Sequence, residues 1–424
     1  MRDTIFALSS GSPPAAIALI RISGPQAAAA LEAVAGRLPS PRRAVSASLR
    51  DDAGILLDRA LVLWLPGPGN ATGEDLAELH CHGGRAVVAA VLSALAALPG
   101  LRAAEAGEFT RRAFANGRID LAEAEGLADL LSAETDLQRR SALALAEGAL
   151  SRTVEDWRGQ VLSLSAAVEA VLDFDDEGDV AGLDPAFYAA IGALELDLGE
   201  WLARPRAESL REGVKVAIAG PPNAGKSTLF NALVEDDAAI ATPIPGTTRD
   251  VLMRPVALSG VPFRFFDTAG LRDQAGDPVE AIGIERARAA LTDADLVLWL
   301  GPEGEGPPGA WEIAAQADRG GAGKSAPRHA VSAVTGLGID GLRQDLVKAA
   351  RATLPRPGVA ALNARQAGRM EMARAALCEA ACERDPLLIA EQLRVARIGF
   401  DGLIGRTATE DMLDTLFGRF CIGK

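Results

Sequence analysis

The residues with the clearest chemical meaning run from Gly220 to Ser227, in the order G-P-P-N-A-G-K-S. This order fits the phosphate-binding pattern G-x-x-x-x-G-K-[ST], and a β-prone run precedes it while a helical pattern follows it. Backbone N–H groups of such a loop, with the start of the helix, surround phosphate oxygens. The sequence therefore predicts a nucleotide site in which Lys226 reaches the β- and γ-phosphates and the Ser227 hydroxyl binds Mg²⁺. The other residues of the loop predicted to contact nucleotide are Asn223, Ala224, Gly225 and Thr228.

A second, similar segment ends in A-G-K-S at Ser325. It has Asp318 where the pattern needs its first glycine, and no apolar strand comes directly before it. We therefore predict a polar loop at this segment.

Two segments further along the chain carry the residues that a switch GTPase needs. Thr248 lies between the first predicted helix and the second predicted strand, where its hydroxyl can bind Mg²⁺. Asp267 ends a predicted strand and can hold Mg²⁺ directly or through water, and the Gly270 N–H can contact the γ-phosphate. Loops of this kind are ordered by the γ-phosphate and released by hydrolysis. The residues predicted to contact nucleotide here are Thr242, Pro243, Ile244, Pro245, Gly246, Thr247, Thr248, Asp267, Thr268, Ala269 and Gly270.

The base-recognition segment is less complete. GTPases usually carry N-K-x-D, and this chain has Ala315 and Gln316 before Asp318, where asparagine and lysine are usual. The Asp318 carboxylate can accept two guanine N–H groups, which adenine would leave unpaired. Ser332 and Ala333 fit the last guanine-contacting loop. We predict GTP with lower affinity than usual; the alternatives are an ATPase, or a turn residue at Asp318.

The 424 residues suggest two to four domains, and 49% of them are apolar, as in globular proteins. Four cysteines form no disulfide framework. The net charge of −14 argues against broad nucleic-acid binding, so RNA contacts should be local or delivered by a partner. Because the chain lacks both an apolar signal core and a run of about 18 apolar residues, we expect a cytoplasmic protein without membrane attachment.

Residue patterns also predict the elements around the site. Residues 16–22 and 59–65 are typical of strands, and residues 84–98 of a helix. Val154, Trp157, Val161, Leu164, Val168 and Val171 recur at helical spacing, and residues 211–354 alternate strands and helices as in a parallel α/β sheet. His80 and His82 share one side of an extended stretch, which suits a metal site or, as we favour, a pocket wall or packed surface.

The motifs together resemble the MnmE (TrmE) family of bacterial tRNA-modification GTPases. The resemblance rests on R-I-S-G at 21–24, the long motifs at 107–114 and 116–125, the GTPase motifs and C-I-G-K at 421–424. It implies an α/β and all-α multidomain fold. Residues 1–118 would form a dimerising, formyl-tetrahydrofolate-binding domain, and 119–210 with 355–424 a helical domain. Residues 211–354 would be an inserted GTPase domain with a mainly parallel sheet.

The resemblance also implies site residues. Those for 5-formyltetrahydrofolate are Arg21, Glu78, Arg118 and Lys424, with Cys421 as a nearby thiol of open role. A K⁺ ion near the transferred phosphate would be held by Asn223, Thr242, Ile244 and Thr247, and Glu280 would orient the attacking water. Lys226 is the second predicted catalytic residue.

The implied function is a K⁺-stimulated GTPase that acts as a homodimer with an FAD-dependent partner of the MnmG type. The complex would modify C5 of the wobble uridine of certain tRNAs, adding a 5-carboxymethylaminomethyl-type group. The alternative is a ribosome-assembly switch GTPase that binds RNA without folate chemistry, which predicts a basic C-terminal module rather than the Cys421 motif.

Overall fold

The computed structural model describes residues 3–173, 183–234, 253–267, 291–320 and 323–424. The chain forms two units, one made of Met1–Ala128 with Phe400–Lys424 and the other of Asp129–Gly399. Within the described ranges, no helix is both long enough and apolar enough to cross a membrane.

The first unit contains a six-stranded, mainly antiparallel sheet. Its strands are β1 (Thr4–Leu8), β2 (Ala15–Ser23), β3 (Val45–Arg50), β4 (Leu56–Leu65), β5 (Leu76–Gly83) and β6 (Leu101–Ala103). Their order is β3-β4-β5-β2-β1-β6, with β6 parallel to β1. The helices α1 (Ala27–Ala35) and α2 (Arg85–Ala96) lie against one face, where Ile20, Ile22 and Leu31 are fully buried. Since side chains alternate along a strand, Ile17 and Leu61 lie on the other face, and they are 60% and 42% exposed.

Further helices of the first unit surround the end of the chain. They are α3 (Glu108–Ala115) and the start of α4 (Leu121–Ser132), and near the end of the chain a helix at Glu410–Phe417. Leu121, Leu416, Phe417 and Phe420 share one apolar cluster. This cluster fixes the residues that lead to the C-terminal tetrapeptide.

The second unit contains the predicted parallel sheet. Its strands are β7 (Val214–Ala219), β8 (Met253–Leu258), β9 (Val261–Asp267), β10 (Leu296–Trp299), β11 (Trp311–Ala314) and β12 (His329–Ala330). Their order is β12-β11-β10-β7-β9-β8, and β8 is the antiparallel edge strand. The carboxyl ends of β7, β9, β10, β11 and β12 therefore lie at the same edge of the sheet, because these strands are parallel.

Helices make up the rest of the second unit. In chain order they are α5 (Asp136–Ala146), α6 (Ala149–Asp173), α7 (Pro185–Leu202), α8 (Ala207–Glu212), α9 (Lys226–Val234), α10 (Ile339–Thr353), α11 (Ala364–Cys382) and α12 (Pro386–Ile404). The end of α12 belongs to the first unit, as does the helix that follows it, α13 (Glu410–Phe417). Val154, Trp157, Val161, Leu164 and Val168 are buried along α6, so this helical prediction is confirmed. The predicted strands at 16–22 and 59–65 and the helix at 84–98 are also confirmed, as β2, β4 and α2.

Candidate functional site

The loop between β7 and α9 has the curled backbone that the phosphate-binding pattern predicts. Gly220, Asn223 and Gly225 have positive φ values of 149°, 62° and 88°. A Cβ atom at Gly220 would lie 3.0 Å from the Gly301 nitrogen, so a side chain at this position would press on the segment that follows β10. The loop therefore needs glycine both for its conformation and for its packing against the sheet edge.

Lys226 occupies the centre of this loop. Its residue is 6% exposed, and its Nζ donates hydrogen bonds to the carbonyl oxygens of Gly220 (2.9 Å) and Pro221 (2.8 Å). Ser227 follows in the first turn of α9. The ammonium is therefore held inside the loop, where a phosphate group would meet it together with the N–H groups of the helix start.

Asp267 lies beside this loop. It ends β9 and pairs with Ile218 on β7, two residues before Gly220. Aspartate and serine are residue types with oxygen ligands, which Mg²⁺ prefers, so the residue types at positions 267 and 227 fit that ion.

A pocket of about 150 Å³ lies next to the phosphate loop. The start of α9 and the loops after β11 and β12 form its walls. Its lining residues are Gly225, Thr228, Leu229, Ala315, Gln316, Asp318, Arg319, Val331, Ala333 and Val334. This cavity therefore brings together three predicted parts of the nucleotide site. They are the helix after the phosphate loop, Asp318 and Ala333.

Asp318 is held ionised at this pocket. It lies on a 3₁₀ turn at Ala317–Arg319, and a hydrogen bond from the Ser332 side chain keeps the pKa of Asp318 below its usual range. Ser332 is fully buried, and its own hydroxyl accepts a hydrogen bond from the Thr335 N–H at 3.2 Å. The charged carboxylate is the form that accepts the two guanine N–H groups.

Gln316 connects the base pocket to the phosphate loop. Its Nε2 donates a hydrogen bond to the Asn223 carbonyl oxygen at 3.2 Å, and both residues have positive φ, 56° and 62°. Ala315 is buried, so the two positions that depart from N-K-x-D have different roles in packing. Sequence reasoning identified the departure at Gln316 but missed this bond, which joins residues 93 positions apart.

The second A-G-K-S segment has a structural role. The Lys324 side chain is fully buried, and its Nζ donates hydrogen bonds to the Trp299 carbonyl oxygen at 2.7 Å and to Glu312 at 2.5 Å. The prediction that this segment is a loop is confirmed for the described residues 323–325. Its lysine anchors the loop to β10 and β11 instead of facing a ligand.

Several predicted residues lie outside the described ranges. They are Thr242, Pro243, Ile244, Pro245, Gly246, Thr247, Thr248, Thr268, Ala269, Gly270 and Glu280.

The first unit brings together a second set of predicted residues. Arg21 on β2 is the cross-strand neighbour of Glu78 on β5, and its Nε and Nη2 atoms bond the Glu78 Oε1 at 3.1 and 2.9 Å. His80 Nε2 lies 3.4 Å from the other Glu78 oxygen, and His82 Nδ1 lies 2.7 Å from Asp58. The two histidines are therefore partners of carboxylates. Within the described residues, no group of three or more His, Cys, Asp or Glu side chains could hold a metal ion.

The C-terminal tetrapeptide docks against the same unit. The carbonyl oxygens of Cys421 and Lys424 accept hydrogen bonds from the N–H groups of Gly107 (3.4 Å) and Phe109 (3.2 Å), at the start of α3. These are N–H groups that a helix start cannot satisfy internally. Gly423, with φ of 93°, lies so close to β1 that a Cβ atom would be 2.1 Å from the Leu8 carbonyl oxygen.

Phe109 links the tail to the charged pair. The Arg21 guanidinium lies 6.0 Å from the Phe109 ring centroid, and the Phe109 N–H bonds Lys424. Phe109 is thus a common neighbour of Arg21, which is paired with Glu78, and of the Lys424 backbone. Arg118 is exposed and bonds the Asn70 carbonyl oxygen at 3.0 Å, and its contacts do not include the other three residues. Sequence reasoning missed Phe109, although it lies within a motif that was recognised.

The site has the features of a P-loop nucleotide-binding protein of the GTPase class. They are a central parallel strand, a glycine loop with a buried lysine, and a pocket lined by an ionised aspartate. A family model described as GTP-binding protein TrmE N-terminus matches residues 4–118, and one described as MnmE helical domain matches residues 121–421. The chain belongs to the MnmE family. The predicted fold class, α/β and all-α parts with a mainly parallel GTPase sheet, is confirmed.

Individual relatives agree with this assignment. The tRNA modification GTPase MnmE of Novosphingobium aromaticivorans is 64% identical over 437 residues, covering 100% of this chain and 100% of the relative. The protein of the same name from Erythrobacter litoralis is 64% identical over 423 residues with the same coverage. The G domain of the T. maritima FeoB iron transporter is 26% identical over 32% of this chain and 98% of that chain, with a TM-score of 0.23. Because that TM-score is low, the family assignment rests on the sequence matches. As a member of this family the protein is a GTPase, which uses GTP with Mg²⁺.

Proposed function

We propose that this protein is a K⁺-stimulated GTP hydrolase that acts in tRNA modification with an FAD-dependent partner of the MnmG type. The pair would install a 5-carboxymethylaminomethyl-type group on the wobble uridine of certain tRNAs. The observation that carries the proposal is the docking of the Cys421–Lys424 tail on Phe109, whose ring lies 6.0 Å from the guanidinium of the Arg21–Glu78 pair, on a chain that also has a GTPase loop. The relatives named above, which are called tRNA modification GTPases, support it.

The nucleotide half of the proposal rests on the phosphate loop. Lys226 would bind the β- and γ-phosphates, and the oxygen ligands Ser227, Thr248 and Asp267 would hold Mg²⁺. Asn223 would bind K⁺ together with Thr242, Ile244 and Thr247, and this cation would neutralise charge on the transferred phosphate. Glu280 would orient the attacking water. The bond from Gln316 to the Asn223 carbonyl supports a fixed position for that residue.

The folate half rests on the charged pair of the first unit. The group 5-formyltetrahydrofolate would supply a one-carbon unit. The Glu78 carboxylate would accept pterin N–H groups, while the cations of Arg21, Arg118 and Lys424 would bind the glutamate tail. The side chains of Arg21 and Glu78 are only 20% and 15% exposed. A ligand that forms hydrogen bonds with them in place of their mutual bond would therefore meet largely desolvated charges.

Two features support the proposed partners, which are a second copy of this chain and an RNA-binding protein. They are the surface of the first unit and the net charge. The open sheet face with Ile17 and Leu61 supports a homodimer formed through this sheet, because exposed apolar faces mark interaction surfaces. The net charge of −14 supports a division in which the partner supplies much of the RNA-binding surface.

We keep the predicted domain boundaries as part of the proposal. Residues 119–210 and 355–424 would form one helical domain around an inserted GTPase domain at 211–354. The packing of α11 on α7 supports it, and this contact includes the Arg374–Glu195 ion pair at 2.6 Å.

The test is a reconstitution with the MnmG-type partner, unmodified tRNA, GTP, K⁺, Mg²⁺ and 5-formyltetrahydrofolate. Mass spectrometry of digested tRNA would measure the modified nucleoside. We expect Arg21→Gln to lower folate affinity tenfold or more, since it removes a charged hydrogen-bond donor, and to lower nucleoside yield while GTP hydrolysis persists. Arg37→Gln, at an exposed arginine of the same unit, is the matched control.

Two results would contradict the proposal. One is the absence of modified nucleoside from the wild-type mixture. The other is equal nucleoside yield from the Arg21→Gln and Arg37→Gln variants, which would separate folate chemistry from the Arg21–Glu78 pair.

A further inference from the structure

A second cavity of about 280 Å³ lies in the second unit, away from the nucleotide pocket. The end of α4, the helices α5 and α8 and the strand β9 form its walls. Its floor is apolar and buried, with Ala142, Leu145, Leu210 and Ala361. Seven of the thirteen lining residues are polar or charged, and the apolar ones form the floor, so the cavity suits a small molecule with both polar and apolar parts.

The charged residues at the cavity differ in how they are paired. Arg211 bonds Asp129 at 2.5 Å, so these two charges compensate each other. Arg264 on β9 has no ion-pair or side-chain hydrogen-bond partner among the described residues. Its cross-strand neighbour Lys215 is itself paired with Glu212 at 3.2 Å. Among the described residues that line the cavity, Arg264 is therefore a guanidinium without an ion-pair partner.

This arrangement selects the ligand by charge and shape. A guanidinium binds a carboxylate through two parallel hydrogen bonds. The Glu134 carboxylate, which also lines the cavity, would repel a ligand with several negative charges. The apolar floor suits a hydrocarbon body. A monocarboxylate with an apolar body satisfies all three conditions.

Two strands connect the cavity wall with the nucleotide site. Arg264 and Asp267 are three residues apart on β9, and the cross-strand neighbour of Arg264, Lys215, lies on β7, which leads into Gly220. The hairpin that joins β8 to β9 is tied to α5, because the Leu137 N–H bonds the Gly260 carbonyl oxygen at 3.3 Å. A ligand on Arg264 would thus act on the two strands that present the phosphate loop and the Mg²⁺ carboxylate.

We infer that this cavity is a regulatory site for small monocarboxylates with an apolar body, whose occupancy changes the affinity of the protein for guanine nucleotide. Coupling of this kind is reciprocal, so bound nucleotide must change carboxylate affinity by the same factor.

The test uses the full chain and benzoate and hexanoate as probes, with benzamide and hexanamide as uncharged controls. Ligand-observed NMR would measure binding, and titration with a fluorescent GDP would measure nucleotide affinity with and without the carboxylate. We expect at least one carboxylate to bind and to change GDP affinity at least twofold, while its amide does not bind.

Variants locate the site. Arg264→Gln should weaken carboxylate binding at least tenfold, and Arg264→Lys, which keeps the charge but not the paired geometry, should weaken it less. Arg140→Gln, at an exposed arginine on α5 that bonds Asp136 and does not line the cavity, should have no effect.

The inference would be overturned if neither carboxylate binds, if the amides bind equally well or if folded Arg264→Gln protein binds normally. Binding without any change in GDP affinity would overturn the regulatory role.

Discussion

Replacing Gly423 with alanine should release the C-terminal tail from the first unit. A residue with a side chain is destabilised by about 1–2 kcal/mol in this left-handed conformation. Its Cβ would also lie 2.1 Å from the Leu8 carbonyl oxygen, and relieving such overpacking costs a further ~1–3 kcal/mol. The hydrogen bonds from Gly107 and Phe109 contribute about 1–3 kcal/mol together, and an isolated β-bridge between Ala106 and Ile422 also holds the tail. The undocked population should therefore rise strongly in the variant.

Hydrogen exchange at the Gly107 and Phe109 amides measures this release directly, because both N–H groups lose their acceptors when the tail leaves. We expect exchange at least tenfold faster in Gly423→Ala than in the wild type. Gly36→Ala is the matched control, since Gly36 has a φ of 74° and open space around its Cβ direction. The Gly36→Ala variant is destabilised by the left-handed conformation but has no steric clash. It should leave the Gly107 and Phe109 amides protected from exchange. Wild-type protection in Gly423→Ala would refute the docking argument.

Three further predictions concern single groups. Gln316→Ala removes one hydrogen bond to the Asn223 carbonyl, so GDP affinity measured by calorimetry should fall about 2- to 10-fold. Unchanged GDP affinity would show that this bond does not contribute to nucleotide binding. Burial raises the pKa of the Cys81 thiol to about 12, so a thiol reagent at pH 8 should modify Cys378, Cys382 and Cys421 while Cys81 stays protected until unfolding. Burial would raise the pKa of Glu108, but hydrogen bonds from Arg102 and Arg112 outweigh it and lower that pKa. The stability from Glu108 is present above its unfolded-state pKa of about 4.5 and is lost as pH falls through the lower folded-state pKa. Denaturation measured from pH 7 down to about pH 2.5 should therefore show a smaller acid loss for Glu108→Gln than for the wild type.

The phosphate loop could be predicted from sequence because its determinants are local. Glycines, lysine and serine stand within eight positions, and the strand and helix on either side have their own patterns. Asp318 could be placed for a similar reason, since it follows a buried strand by four residues.

Other parts of the sites depend on contacts between distant residues. The bond between Gln316 and Asn223 joins two loops that only the sheet topology brings together. The docking of Gly423 on Leu8 joins the two ends of the chain, and no local pattern specifies it. The resemblance to the MnmE family predicted Arg21, Glu78 and Lys424 as a group, but the role of Phe109 between them is visible only in the structure.

The measurement that tests the central claim most directly compares GTP and ATP hydrolysis in K⁺ and in Na⁺, for the wild type and for Asp318→Asn. The asparagine cannot accept both guanine N–H groups, so its GTP affinity should fall about 10- to 100-fold. We expect the wild type to hydrolyse GTP faster than ATP, and faster in K⁺ than in Na⁺. Equal GTP rates in the two salts would contradict the K⁺ site, and ATP hydrolysis faster than GTP hydrolysis would contradict the guanine pocket built around Asp318.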